Sequence, residues 1–111
     1  MHKILLTIFT FNMIFYSCVD AKSYKGQKEY KKKCRSCHGG GQAVAASKTI
    51  SEWTVLLVNK GKGLADLHVN NEKAKESVEY FTGSRYAKKS KHFKDFMVQY
   101  AEDSGNVPAC N

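Results

Sequence analysis

Cys34-Arg35-Ser36-Cys37-His38 is the part of this chain whose residue types and spacing can do chemistry. Two thiols three residues apart share one side of a helical turn, and a histidine follows at once. C-x-x-C-H is the pattern at which a c-type haem is attached. On that reading Cys34 and Cys37 reach the vinyl edge of one porphyrin and form thioethers, and His38 binds the iron as proximal ligand. Other chemistries also use paired cysteines. Structural zinc needs four ligands, commonly a second cysteine pair or two histidines. Cys110 stands far along the chain, and the spacings to His68 and His92 match no ribbon or finger. A thioredoxin-like redox pair needs a βαβ setting, and none is legible. A plain Cys34–Cys37 disulfide is the third alternative. The histidine after the second cysteine favours one covalent haem c.

The elements around the motif must place it in the right compartment and hold its cofactor. Residues 1–21 read as an export signal: a short basic start at His2 and Lys3, an apolar run from Ile4 to Tyr16, and Val19-Asp20-Ala21 before a cut. The apolar run is shorter than the ~20 residues of a membrane span. Cleavage before Cys18, with a lipid on its thiol, is an alternative, as is an uncleaved anchor. The expected location is therefore the periplasm, soluble or lipid-tethered, where disulfides are tolerated. Residues 22–111 form the expected single domain, small enough that a bound apolar cofactor would help to stabilise it.

The formal net charge is +8, and removing residues 1–21 takes away one charge of each sign. Such a surface attracts acidic partners, and export makes nucleic acid an improbable one. Lys31-Lys32-Lys33 abuts the first cysteine, as a solvated helix face or as a cationic rim for docking.

Four helical stretches can be read and no convincing strand, so the expected class is all-α. The first runs over about residues 24–33, with Gly26, Tyr30, Cys34 and Cys37 on one face. The second covers 52–60, capped by Ser51 and stopped at Gly61. Residues 62–69 read as a loop or turn. The third covers 72–82, capped by Asn71 and ended by Gly83. The fourth covers 91–103, capped by Ser90 and stopped at Gly105. Its Phe93, Phe96, Met97 and Tyr100 make the strongest amphipathic stripe in the chain. Trp53 reads as core. Cys110 is left over as a tail thiol or an intermolecular partner.

Gly26-x-x-x-Tyr30-x-x-x-Cys34-x-x-Cys37-His38-Gly39 resembles the first helix and haem site of a small monohaem class I cytochrome c. The resemblance covers the two ends of the mature chain, and residues 42–89 carry no residue-by-residue match. It implies a small cytochrome c-like fold wrapped around one haem, with N- and C-terminal helices crossing. Gly26 and Tyr30 would then meet Met97 and Tyr100. It also implies a probable monomer that carries single electrons between larger redox proteins of a bacterial respiratory chain. The partners would be acidic proteins such as a reductase, an oxidase or a peroxidase, and no catalytic base or nucleophile is required.

The family usually takes its sixth iron ligand, a methionine, from the loop before the last helix. Here that stretch, residues 83–90, holds neither Met nor His. The candidates elsewhere are His92, among lysines at the start of the last helix, His68 in the middle loop, and Met97 in the apolar stripe. Core packing is the ordinary role for Met97. The competing function is a haem protein whose open or weakly ligated iron binds a small ligand or peroxide.

Overall fold

The computed structural model describes residues 21–106. The expected leader, Cys18, Pro108 and Cys110 lie outside the described residues. All the regular structure of the described residues is helical, with no strand. No helix in it is long and apolar enough to cross a membrane.

Helix α1 spans Ala21–Lys33. Lysine, glutamate and glutamine are good helix formers, and Lys31, Lys32 and Lys33 in its last turn complement the negative end of the helix dipole. Cys34 then caps a single turn, α2, Arg35–His38. A short α3 follows at Gly41–Ala45.

Helix α4, Ile50–Val69, is two helical segments joined by a sharp break. Its start is a capping box: Thr49 accepts from the Glu52 amide while the Glu52 carboxylate accepts from the Thr49 amide. The cap is Thr49, not Ser51, and the Thr-x-x-Glu spacing that marks it stands in the sequence. The break falls where the sequence places the stop. Val58 is extended, and Asn59, Lys60 and Gly61 are left-handed at φ 52°, 58° and 72°.

The chain then becomes helical again, so residues 62–69 are not the expected loop. Leu64, Ala65 and His68 recur at helical spacing and are half-buried, and Lys62 pairs with Asp66 one turn on.

The third expected helix is likewise divided. Asn71 caps it as foreseen, accepting from Lys73. Residues Glu72–Ser77 form a 3-10 segment with an off-helix Ala74, and α5 covers Val78–Thr82.

Helix α6, Ser84–Gln99, begins well before the expected start and ends earlier. The stretch 83–90 is helix rather than loop. Tyr86 and Ser90 are buried and continue the stripe of Phe93 and Met97 towards the N-terminus. Ser90 is no cap; its hydroxyl donates to the Ala87 carbonyl inside the helix. At the other end Tyr100 leaves helical geometry and the chain folds back. The Glu102 amide donates to the Lys48 carbonyl at 2.9 Å. The Asp103 carboxylate accepts from the Ile50 amide at 2.8 Å, which gives α4 a second cap.

Helices α1 and α6 cross at Gly26. A Cβ there would collide with the His92 carbonyl oxygen and with Cβ of Phe96. The pairing differs from the expected one. Gly26 meets His92 and Phe96, and the Tyr30 ring lies 6.1 Å from Phe96, while Met97 lines a neighbouring cleft. Aromatic rings dominate the buried core. Trp53 is core, as expected, and its indole N–H donates to the Ala45 carbonyl at 2.7 Å.

Candidate functional site

Helix α2 carries the motif at the junction of α1 and α3. Its turn is held from below by Tyr30, whose hydroxyl donates to the Gly39 carbonyl at 2.7 Å. Burial, helped by the nearby Cys34 thiol, pushes the Tyr30 hydroxyl up to about 12, so it stays protonated and keeps donating. The residue after His38 is thereby fixed to the core.

One wall of an apolar cleft of about 430 Å³ is formed by Tyr30, Cys34 and His38. Val44, Trp53, Leu64, Leu67, Phe81, Phe93 and Met97 line the rest, with Ser47 and Lys48 among the few polar groups. The volume falls in the ~300–1,000 Å³ range of cofactor and ligand pockets.

Cys34 is half-buried in this wall. Burial, with the charges of Glu29 and Cys37 adding to it, pushes its thiol up to about 12. Cys37 is exposed and does not line the apolar cleft. It lines a neighbouring groove of about 670 Å³ with Lys32, Lys33, Glu76, Glu79, Tyr80 and Arg85. The C-x-x-C-H residues are thus brought together along the chain, but the two thiols look into adjoining spaces.

Of the three candidate distal ligands, His68 lies opposite His38. The two ring centres are 5.9 Å apart and the rings stand at 77°. His68 Nδ1 is 2.8 Å from the Leu64 carbonyl, and the ring stacks on Phe81 at 4.1 Å. Met97 lines the cleft as a buried core side chain. His92 does not line it. It is half-buried on α6 beside α1, where burial and then Lys25, Lys91 and Lys89 lower its pKa.

Sequence reasoning missed Phe81, Leu64 and Lys48 as parts of this site. The four-residue spacing of Leu64 and His68 could have signalled the first bond, since a helix brings those positions together. The sequence marks Phe81 only as part of the apolar stripe of the third expected helix, with Ala74 and Val78.

Among the described residues no group of three or more His, Cys, Asp and Glu could hold a bare metal ion. The arrangement suits an iron porphyrin better: apolar walls for a flat macrocycle, imidazoles on two sides, and a thiol in the wall. Outside the cleft, Lys25, Lys28, Lys31 and Lys32 are exposed on α1, and none is in an ion pair among the described residues. No family model, curated protein or solved structure matches the chain.

Proposed function

We propose that this chain is an exported c-type haem protein that carries single electrons. The observation that supports this most is the apolar cleft with Cys34 and His38 in its wall, at the one C-x-x-C-H motif in the sequence. A bound haem supplies a one-electron iron couple, shielded from water by the walls of the site.

The residues have separate tasks. Cys34, in the cleft wall, and Cys37, at the adjoining groove, would hold the haem through thioethers, each thiol adding S–H across a vinyl group with no leaving group or oxidant. His38, next to a turn steadied by the Tyr30–Gly39 hydrogen bond, would hold the iron. Trp53, Leu64, Phe81, Phe93 and Met97 exclude water. Lys25, Lys28, Lys31 and Lys32 leave the rim next to the motif positive, which steers a transient acidic redox partner.

Expression in a host with haem-attachment machinery tests the reading. The expected product is red, and its intact mass exceeds the processed chain by one haem. Cys34→Ala and Cys37→Ala lower that yield. Stopped-flow mixing with an acidic redox protein is expected to give fast electron exchange that slows as salt rises. A colourless product of unmodified mass sinks the haem assignment. Exchange that is slow at every ionic strength sinks the carrier role.

A further inference from the structure

We infer that His68 is the second axial ligand of the iron, making this a bis-histidine site closed to exogenous ligands; the inference rests on the haem reading above. The first observation is position. His38 and His68 approach across the apolar cleft with ring centres 5.9 Å apart. Metal–imidazole bonds of about 2.0 Å on each side of one metal place two ring centres roughly 6 Å apart.

The second observation is the tautomer. The Leu64 carbonyl can only accept, so its 2.8 Å contact assigns the proton to Nδ1 of His68. Nε2 then keeps its lone pair. A metal-bound histidine is ordinarily fixed this way, by donating its other nitrogen to a carbonyl or carboxylate.

The third observation is support. The helical segment that carries His68 is held at both ends by one aromatic pair. At its start the Tyr86 hydroxyl donates to the Gly61 carbonyl at 2.6 Å. At its end Phe81 stacks on His68. Phe81 and Tyr86 pack on each other with ring centres 4.7 Å apart. The left-handed break at Asn59-Lys60-Gly61 turns this segment relative to the first half of α4. Without the break, residues 62–69 would continue along the axis of the first half.

The rivals lack these features. His92 is outside the cleft. Met97 reaches it, but as a packed core side chain 3% exposed. Two imidazoles also predict a lower reduction potential than a histidine–methionine pair.

The experiment uses the purified holoprotein. Wild type is expected to be low-spin in both oxidation states and to leave carbon monoxide unbound on mixing. Its ferric NMR spectrum, on histidine-labelled protein, should show two paramagnetically shifted imidazoles. His68→Ala should keep the covalent haem mass, turn high-spin and bind carbon monoxide at once, and added imidazole should restore the low-spin spectrum. His92→Ala should look like wild type. One shifted imidazole in wild type, or a low-spin spectrum unmoved by His68→Ala, overturns the inference and leaves the haem reading intact. Conversion to high spin by Met97→Leu rather than His68→Ala does the same. Wild type without covalent haem overturns both. If His68→Ala fails to accumulate, the labelled wild-type spectrum decides alone.

Discussion

The buried hydroxyl of Tyr86 donates a 2.6 Å hydrogen bond to the carbonyl of Gly61, the last residue of a three-residue left-handed turn. Few side chains tolerate that backbone. Glycine does so without steric cost, and asparagine often does, but Lys60 at φ 58° is held there by its surroundings. The bond couples the core helix α6 to the break in α4, and so to everything the second half of α4 carries.

Replacing Tyr86 by Phe keeps the ring and removes the bond. The Gly61 carbonyl then loses its buried partner, at a cost of about 1–3 kcal/mol. Gly61→Ala is worse, because its Cβ would overlap the Tyr86 hydroxyl at a left-handed φ. The two changes act on one contact, so the double variant should lose less than the sum. Urea titrations of the four proteins check this. Simple additivity would mean that the turn does not depend on Tyr86.

Gly26 gives a sharper contrast between local and tertiary effects. On helix propensity alone, Gly26→Ala should stabilise α1 by up to about 1 kcal/mol. The crossing reverses the sign. The added carbon would collide with the backbone carbonyl of His92, which cannot swing aside, so α1 and α6 must separate. The expected net loss is about 1–3 kcal/mol, seen as a lower Tm. A raised Tm would show that the helices do not cross at this point.

The contrast shows what the sequence could and could not convey. The class, the helix faces and the stop near Gly61 were legible, because apolar spacing and glycine placement are local signals. The motif placed His38, and the aromatic stripe located the core of α6. The boundaries were legible only in part. Thr49-x-x-Glu52 was a readable capping box, whereas the early end of α6 depends on Asp103 bonding Ile50, far away along the chain. The helical segment at 62–69 was hidden because only three of its residues need the cleft. Which candidate faced His38 was a tertiary matter. His68 and His92 differ little in local sequence signal, and only the break in α4 and the crossing of α1 with α6 separate them.

A buried carboxylate ties α1 to α6. Glu29, 3% exposed, accepts from Nε and Nη2 of Arg85 at 2.9 Å and from the Tyr80 hydroxyl at 2.8 Å. The Arg85 hydrogen bond is the largest influence on Glu29, and burial opposes it. Tyr80 adds to the first, and the net effect holds the carboxyl below its ordinary value of 4.5. The group therefore binds its proton more readily when unfolded. Its contribution is fully present above the ordinary carboxylate range and is lost as pH falls through the depressed folded value. Urea midpoints measured from neutral pH downwards should fall more steeply below about pH 4.5 for wild type than for Glu29→Gln. Parallel curves would remove Glu29 as a source of acid sensitivity.

The two motif cysteines should differ in reactivity before any haem is attached. Thiolate is the reacting form, and burial is the main reason that the Cys34 thiol is pushed up to about 12. That leaves Cys34 far less thiolate at neutral pH than an ordinary thiol near 8.5. Cys37 is exposed beside Lys33 and Arg85. In haem-free, reduced protein, iodoacetamide should therefore label Cys37 first. Cys34 should react much more slowly in buffer than in urea, as read by peptide mass spectrometry. Equal rates at Cys34 in the two solvents would mean that the cleft wall is not formed in the haem-free protein. The order of labelling also bears on assembly. The half-buried thiol is the one in the apolar wall, so it is protected from oxidation, while Cys37 remains accessible.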